Sequence, residues 1–439
     1  MLWKLHRMPL RSILATVIFG LTYLSISGLP IPGMLRRCRL RPSAGGAVLL
    51  PWLPRRRWVA TLAGAIAVVL VGALSPRDAL RAVDGATLGL LLGMMLLAGA
   101  LRVAGVFDAV ASYLSRALGG QPQALLFLVT ALSGILSALL LNDAVCLMLT
   151  PLILEICDRA GLSPLPYLLA LATGSNVGSA ATLTGNPQNM IIGLRSAWPY
   201  LAFLAHLGPV AALGLVANAA ILGVLFRGRL REGEQRPHVG KPEAAVGRRL
   251  RWPVLLTLAA VTLGFAAGAN LTLVALCGGA AVLLLAWRRA PAVLAEVDGS
   301  LLVFFACLFV VVEAFSATGL PRAAFEAALP FFGHTAGRQL ASFSAFTVLA
   351  SNAFSNVPYV LLAAPWIPRF ADPKLLWLAL SAACTFAGNL TIVGSMANMI
   401  VAEAAASRLR ISFWDYARVG VPITLATTAI AVVGLAVGG

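Results

Sequence analysis

Residues 174–189 read GSNVGSAATLTGNPQN, a polar stretch inside a segment, residues 160–194, that contains no charged side chain. The absence of charge permits lipid depth, but Gly185 weakens a helix and Pro187 removes an amide donor. We therefore predict two half-helices joined by unwound backbone. A membrane tolerates such backbone only where it lines a cavity or is covered by protein.

The composition of the whole chain is typical of a membrane protein. Of 439 residues, 60% are hydrophobic and 11% are charged, whereas soluble domains are about 25% charged. This excludes an ordinary soluble enzyme, a disordered protein and a nucleic-acid binder, which all need more ionisable surface. The net charge of +17 is assigned to cytoplasmic loops that face anionic lipid. We predict a multi-pass protein of the bacterial inner membrane with the bilayer as a partner.

Apolar runs of a length that crosses a bilayer, about 20 residues, recur along the chain. They are residues 12–29, 58–75, 86–107, 198–226, 253–268, 271–287, 300–318 and 418–437. The first run is interpreted as a span, but a signal-like segment or sequence upstream of a misplaced start codon has the same pattern. Whether residues 1–45 belong to the mature protein therefore stays open.

Two basic loops divide the chain. Residues 36–57 hold seven Arg, and residues 227–251 hold seven Arg and one Lys. Both are predicted to be cytoplasmic, so an even number of crossings separates them. The predicted domains are an N-terminal span with its basic loop (1–57), a first repeat (58–226), a linker (227–252) and a second repeat (253–439).

The two halves share an internal repeat. Asp84 and Asp298, each within a Val-Asp-Gly sequence that precedes an apolar run, are 214 residues apart. The same offset separates Ser137 from Ser351, Asn142 from Asn356 and Pro151 from Pro365. TLTGNPQNMI (182–191) matches TIVGSMANMI (391–400) at an offset of 209. Five crossings are predicted between the two Asp residues. Because five is odd, the repeats are inverted, as in secondary transporters.

Each repeat is predicted to contain one re-entrant hairpin and one broken helix. The hairpins are residues 124–158 and 338–370, where Asn and Asp or Ser and Asn interrupt apolar arms. The broken helices are residues 164–192 and 375–401. The predicted fold is an all-α polytopic membrane protein with about ten transmembrane helices and two hairpins whose tips meet the breaks.

The candidate binding site consists of neutral polar residues at the tips and breaks. Freed carbonyls coordinate small cations, and half-helix amino termini hold anions. The alternative is close helix packing, which small residues also indicate. The candidates are Asn142, Asp143, Asn176, Ser179, Thr182, Thr184, Gly185, Asn186 and Asn189 in the first half, and Ser355, Asn356, Gly388, Asn389, Thr391, Gly394, Ser395 and Asn398 in the second. We expect no cofactor other than a bound Na+.

Two acidic residues at membrane depth are candidates for ion coupling. An ionised carboxylate is costly there, so Asp143 is expected to be protonated, paired or bound to a cation. Its alternative role is the N-cap of the second hairpin arm. Glu313 either relays protons or pairs with a basic side chain such as Arg102, and the sequence leaves both open.

Four motifs in order carry a resemblance to a known group. LNDAVCLMLTP, GSNVGSAATLTGNPQN, SNVPYVLL and AGNLTIVGSMAN resemble the ion transporter superfamily, which includes arsenite permeases, citrate transporters, NhaD-type antiporters and divalent-anion/sodium symporters. The GNPQN run is similar to the bacterial anion or citrate-like permeases. The resemblance covers residues 60–437. It implies a scaffold domain, a transport domain, elevator-type alternating access and, often, a homodimer.

In the symporters, Ser-Asn-Thr motifs at the hairpin tips bind sodium and substrate carboxylates. The resemblance places Asn142 and Asn356 at the central Asn of these motifs. The first motif departs from the pattern at Leu141 and Asp143, and the second departs at Val357. The Asn-Asp form resembles the arsenite-permease and antiporter branches, which makes proton coupling more plausible.

We therefore expect a secondary transporter that moves a small inorganic or carboxylate anion, coupled to H+ or Na+. The alternatives are a cation/proton antiporter with Asp143 as its exchange site and an arsenite efflux permease. An intramembrane enzyme is disfavoured because no HExxH or Ser/His pair lies in a predicted span. No GxxxxGK[ST] motif is present, so energy comes from an ion gradient or from a separate ATPase partner.

Overall fold

Helices form all the regular structure of the described chain. The computed structural model describes residues 9–27, 57–117, 121–234 and 248–438. The first half contains α1 (Leu10–Ser27), α2 (Arg57–Leu70), α3 (Pro76–Ala82), α4 (Gly85–Val103), α5 (Val106–Ala117), α6 (Pro122–Leu139), α7 (Asn142–Ala160), α8 (Leu165–Ser179), α9 (Pro187–Ser196) and α10 (Tyr200–Leu225). Within the predicted linker lies α11 (Arg227–Glu234).

The second half repeats this order of elements. It contains α12 (Arg248–Ala266), α13 (Leu271–Leu285), α14 (Ala290–Ala295), α15 (Gly299–Ser316), α16 (Leu320–Phe332), α17 (Ala336–Phe354), α18 (Asn356–Ala363), α19 (Pro373–Ala387), α20 (Met396–Ala405) and α21 (Phe413–Gly438), with short 3-10 helices at Trp287–Arg289 and Ala364–Arg369. The predicted spans coincide with α1, α2, α4, α10, α12, α13, α15 and α21. The short helices α3, α5, α14 and α16 were not predicted.

The starting residues of the helices show how closely the two halves correspond. The helices α2, α4, α6 and α7 begin 214 residues before α13, α15, α17 and α18, respectively, and α9 begins 209 residues before α20. Asp84 caps the first turn of α4, and Asp298 caps that of α15. The packing of α1 on α2 and α15 matches that of α12 on α13 and α4, so α1 also has a counterpart.

The repeats are inverted relative to each other. The first half of one broken helix packs beside the second half of the other, since α8 contacts α20 and α9 contacts α19. The same exchange occurs where α2 packs on α15 and α13 packs on α4. Along the contact of α10 with α21, Val210 lies against Gly434 and Gly214 lies against Thr427, so these helices run antiparallel. This confirms the predicted fold class.

The helices form two bundles. The scaffold bundle consists of α1, α2, α4, α12, α13 and α15, which pack on one another across the two repeats. The hairpin bundle consists of the hairpins α6–α7 and α17–α18, the broken helices α8–α9 and α19–α20, and the long helices α10 and α21. Both hairpin tips and both breaks therefore lie in the hairpin bundle.

Five helices in the described ranges are long and apolar enough to cross a membrane without a break. They are α4, α6, α10, α15 and α21. The first hairpin arm, α6, meets this test although it turns back at its end. The other spans are shorter apolar helices or are broken, as α8–α9 is. A test of length and hydropathy therefore does not count a helix that is interrupted by a polar break.

The helix α8 lies at the centre of the hairpin bundle. All fifteen of its residues are buried, which is typical of a helix surrounded by protein on every side. Gly178 allows its close approach to α6, because a Cβ there would collide with the backbone of Gly134. The end of α8 is thereby held at the first break.

Candidate functional site

The first break, residues 180–186, joins α8 to α9. Asn186 is the N-cap residue of α9, and its Oδ1 accepts the N–H of Asn189 at 2.9 Å. The Nδ2 of Asn189 donates to the carbonyl oxygens of Thr182 at 2.9 Å and Ser179 at 3.3 Å. These bonds satisfy carbonyl groups that the missing helical turns leave free, as backbone at membrane depth requires.

The second break, residues 388–395, joins α19 to α20 and is satisfied in the same way. The Nδ2 of Asn398 donates to the carbonyl oxygens of Gly388 at 2.7 Å and Thr391 at 3.1 Å. Asn398 lies 209 residues after Asn189. At equivalent positions, each of the two amides therefore donates to the free carbonyl groups of its own break.

The first hairpin tip, residues 137–143, rests on the first break. The N–H of Asn142 donates to the carbonyl oxygen of Gly185 at 3.0 Å. The Oγ1 of Thr182 donates to the carbonyl oxygen of Ala138 at 2.6 Å. A Cβ at Gly185 would collide with two neighbouring carbonyl groups. The close contact of tip and break therefore requires glycine at that position.

The second hairpin tip, residues 351–357, rests on the second break. The Oγ1 of Thr391 donates to Oδ1 of Asn352 at 3.1 Å, and Nδ2 of Asn352 donates to the carbonyl oxygen of Ala387 at 2.7 Å. Asn352 was not among the predicted residues. It occupies the position that matches Ala138, where the first repeat uses a backbone carbonyl instead.

Asn176, at the end of α8, joins the two halves of the molecule. Its Nδ2 donates to Oδ1 of Asn389 at 2.8 Å and to Oδ1 of Asn398 at 2.9 Å. Its Oδ1 accepts Nδ2 of Asn142 at 3.1 Å and Oγ of Ser395 at 2.9 Å. One buried amide therefore binds the first tip to the second break, as adjacent placement of tips and breaks predicts.

The counterpart of Asn176 is Thr385, 209 residues later. Its Oγ1 accepts Nδ2 of Asn186 at 3.3 Å. Beside it, Oγ of Ser381 donates to Oδ1 of Asn189 at 2.7 Å. Residues of the second half thus form hydrogen bonds with the first break. In the same way, Asn176 of the first half forms hydrogen bonds with the second break. We refer to the hydrogen-bonded side chains of the tips, the breaks and these two helix ends as the amide network.

The two tips also differ at the amide oxygen of their central asparagine. Oδ1 of Asn356 accepts Oγ of Ser351 at 2.7 Å. At the equivalent positions, Oδ1 of Asn142 and Oγ of Ser137 have no hydrogen-bond partner among the described residues, although Asn142 is only 3% exposed. A buried acceptor without a partner costs about 1–3 kcal/mol. Asn142 is therefore the position at which the network can accept a further group.

Asp143 lies beside this position, in the first turn of α7, and is half-buried. The N-cap of α7 is Leu141, and no side chain caps the helix, so the predicted alternative of an N-cap role for Asp143 is wrong. Its charged neighbours are Arg57 of α2 and Asp298 at the start of α15. The carboxylate thus lies where the hairpin bundle faces the scaffold bundle.

Glu313 does not join the site. It is exposed on α15, and it has no hydrogen bond to the amide network within the described residues. Arg102 pairs with Glu296 instead, with Nη1 at 2.5 Å from Oε2. Of the two alternatives for Glu313, the pair with Arg102 is therefore wrong, because Glu296, between α14 and α15, occupies Arg102.

The remaining predicted residues fall at the tips and breaks. Asn142, Asn176, Ser179, Thr182, Thr184, Gly185, Asn186, Asn189, Asn356, Gly388, Asn389, Gly394, Ser395 and Asn398 are buried, whereas Thr391 and Ser355 are half-buried. Five further residues of this region are not among the predicted site residues: Ser351, Asn352, Ser381, Thr385 and Arg57. The equal offset of Ser137 and Ser351 was the signal available for one of them. Thr385 and Arg57 have no like residue at the matching position.

The chain is similar in sequence to a family of membrane transporters. The sequence model of the citrate transporter family matches residues 47–383. A silicon efflux transporter of Oryza sativa subsp. japonica is 32% identical over 87% of this chain and 93% of its own length. A 46 kDa membrane protein of Mycobacterium leprae is 31% identical over 85% of the chain and 92% of its length.

More distant similarity extends to a solved structure. A putative arsB transporter of Dictyostelium discoideum is 24% identical over 87% of each chain. The crystal structure of the Alcanivorax borkumensis YdaH transporter superposes with a TM-score of 0.55 at 17% identity and covers 98% of both chains. At this identity the match shows a shared fold.

Proposed function

The chain belongs to the citrate transporter family, and from that premise we propose that it is a secondary transporter of a small anion, either an inorganic oxyanion or a carboxylate. Coupling to H+ or Na+ drives the transport by alternating access. The rice relative is named for silicon efflux, and the Dictyostelium relative is named after arsB. The name of the rice relative supports a small inorganic solute.

The observation that carries this function is the open acceptor at the first tip. Oδ1 of Asn142 is buried without a partner, inside a network drawn from both halves of the chain. The groups around it are amides, hydroxyls and freed carbonyls, which bind small polar solutes and ions without a resident cofactor. Sites of this composition at the interface of inverted repeats are typical of secondary transporters.

Alternating access follows from the division into two bundles. The tips and breaks are fixed to one another by hydrogen bonds within the hairpin bundle. The hairpin bundle therefore carries the solute as a unit past the scaffold bundle, in an elevator-type movement. The homodimer that the resemblance implies would anchor the scaffold bundle in the membrane.

Asp143 supplies the coupling group in this proposal. It adjoins Asn142, the open position, and it lies at the boundary of the two bundles. A proton or cation at Asp143 would cancel a buried charge that otherwise hinders movement through lipid depth. The same placement supports the second candidate function, cation/proton antiport with Asp143 as the exchange site.

Transport by the purified full-length chain in proteoliposomes tests this function. Phosphate, arsenate, arsenite, silicic acid and citrate are offered with a proton gradient, with a sodium gradient or with neither. Concentrative uptake of one of them that collapses with the ion gradient supports the carrier. Cation exchange with no anion movement would establish the antiporter, and flux that only equilibrates would indicate a channel.

A further inference from the structure

Arg57, the first residue of α2, lies against the start of α20. Its Nη1 is 3.7 Å from Sδ of Met396, and its Nη2 contacts Sδ of Met399. Thioethers are weak acceptors, whereas a guanidinium carries five N–H donors. Arg57 forms no ion pair with any described residue. Among the described residues, its guanidinium therefore has only these two thioether acceptors.

The helix end that Arg57 contacts also has free donors. The N-cap residue of α20 is Ser395, and its side chain makes no capping bond because its Oγ donates to Asn176. At the equivalent end of α9, Asn186 does cap the helix. The first turn of α20 thus presents backbone N–H groups and the positive end of a helix dipole beside a guanidinium.

A buried acceptor is linked to the start of α20 through Asn176. The amide of Asn142 and the hydroxyl of Ser395 bond to the same atom, Oδ1 of Asn176, at 3.1 Å and 2.9 Å. Oδ1 of Asn142 has no described partner and is buried. Donors for a negative oxygen and an acceptor for a hydroxyl group therefore occur within one small region.

The charged groups of this region have no counterparts in the other half. The charged groups that act on Arg57 are Asp143 and Glu403, and neither forms an ion pair with it. The matching positions are Leu271 for Arg57, Val357 for Asp143 and Leu194 for Glu403. Since both repeats form the same fold, the fold itself does not require these three charges. They mark a function that only one side of the site performs.

We infer that Arg57, the first turn of α20 and Asn142 form a binding site for an oxyanion or carboxylate that also carries a hydroxyl group. The negative oxygen accepts N–H groups of Arg57 and of the α20 first turn, and the hydroxyl donates to Oδ1 of Asn142. Hydrogen phosphate and a hydroxycarboxylate such as citrate have this chemistry. The assignment names the substrate class for the transport function proposed above and rests on that function.

The geometry also defines which charges oppose the ligand. The negative charges of Asp143 on α7 and of Glu403, an exposed residue of α20, act on Arg57 and oppose an anion there, whereas Arg57 belongs to the scaffold bundle. The site is therefore complete only when the two bundles stand in the present arrangement. Removal of Arg57 and removal of an opposing carboxylate must change anion affinity in opposite directions.

Binding to the purified full-length chain in nanodiscs tests this at one fixed pH near neutrality. The probes are two matched pairs, citrate with tricarballylate and phosphate with sulfate, in which the second member lacks the hydroxyl. Citrate or phosphate should bind about tenfold more tightly than its partner, because the partner leaves the buried acceptor unpaired. Equal affinity within both pairs, or no binding of any probe, would overturn the assignment.

Substitutions at the charged positions complete the experiment. Arg57→Gln should weaken binding of the preferred probe about tenfold or more, and Arg57→Lys should restore part of it, because an ammonium keeps the charge without the fork of donors. Glu403→Gln should strengthen binding several-fold. Arg102→Gln, which breaks a pair with Glu296, serves as the matched control and should leave affinity unchanged.

The outcomes separate this assignment from the transport function. Wild-type affinity in Arg57→Gln, or weaker binding in Glu403→Gln, refutes the site even if the chain transports anions in proteoliposomes. Failure of the wild-type chain to move any anion refutes the transport function, whatever the binding data show. The opposite signs expected for Arg57→Gln and Glu403→Gln also exclude loss of folding as the explanation.

Discussion

The two hairpin tips occupy equivalent positions but satisfy their hydrogen bonds differently. At the second tip, Ser351 donates to Oδ1 of Asn356 at 2.7 Å, so a residue of the same hairpin satisfies the amide oxygen. At the first tip, Asn142 bonds through Nδ2 to Asn176, and its Oδ1 has no described partner. The amide oxygen of the second tip therefore has a donor from its own hairpin, whereas that of the first tip has none among the described residues.

The backbones of the tips differ as well. Ser355 has φ 64° and ψ 153°, while the equivalent Leu141 has φ −64° and ψ 125°. The conformation of Ser355 is one that only glycine adopts easily, and it costs about 1–3 kcal/mol in other residues. At the second tip, the amide oxygen of Asn356 therefore has a hydrogen-bond donor, but the backbone at Ser355 is strained. The two copies of the motif therefore differ: the first has an unpaired amide oxygen, and the second has a paired amide oxygen and a strained backbone.

The largest expected effect comes from the charge that only the first tip carries. Asp143→Asn should lower ion-driven uptake in proteoliposomes about 100-fold, since the proposed coupling uses the carboxylate. The substitution preserves shape, so the folded fraction should stay near that of the wild type. Val357→Thr at the matching position is the control and should transport normally. Full activity with unchanged gradient dependence in Asp143→Asn would remove its coupling role.

The next effect separates the two central asparagines. Asn142→Ala should weaken solute binding about 10-fold to 100-fold, because it removes the open acceptor and the bond to Asn176. Asn356→Ala should have a smaller effect on affinity but should lower the free energy of unfolding by about 1–2 kcal/mol, since Ser351 loses its acceptor. Binding isotherms and denaturation of both variants measure this. Equal losses of affinity would mean that the tips share the ligand equally.

A pair of serines tests the closed bond directly. Ser351→Ala should lower the free energy of unfolding by about 1 kcal/mol, because Oδ1 of Asn356 becomes a buried acceptor without a donor. Ser137→Ala should change stability little, because its hydroxyl makes no described hydrogen bond. Denaturation of the two variants side by side gives the comparison. A larger loss in Ser137→Ala would show that the first tip is closed in solution.

The smallest expected effect concerns backbone strain. Ser355→Gly should raise the free energy of unfolding by about 1 kcal/mol, because glycine adopts a positive φ without a steric penalty. Thermal unfolding in detergent measures the change, with Ser300→Gly as a control on a helix with ordinary geometry. A destabilised Ser355→Gly variant would indicate that the serine side chain, rather than its backbone, holds the tip.

Several features of the site could be predicted from the sequence. Gly185 and Pro187 indicate the first break because they weaken any helix, whatever surrounds them. Asn189 and Asn398 were selected because the repeat places the same side chain beside each break. The candidate roles of Asp143 also came from the cost of charge at membrane depth. These inferences depend on local chemistry, which the sequence contains in full.

Other residues of the site could not be predicted from the sequence. Thr385 accepts a hydrogen bond from Asn186, which lies 199 residues earlier in the chain. Nothing in the sequence around either residue indicates that contact. Arg57 lies in a run of arginines that the charge pattern assigns to a cytoplasmic loop, yet it contacts Met396 across 339 residues. Glu313 was selected for its depth but is exposed, because the pattern of one helix does not show which face its neighbours cover.

The sequence by itself determined that the chain is a helical membrane protein with two inverted repeats, each with a hairpin and a broken helix. Apolar length, helix breakers and repeat offsets are properties of neighbouring residues, and they act before any tertiary contact forms. Only the tertiary structure decided which amides pair and which oxygen remains open. Asn176 meets Asn398 across 222 residues, and whether a polar atom is satisfied depends on the partner that folding brings within about 3 Å.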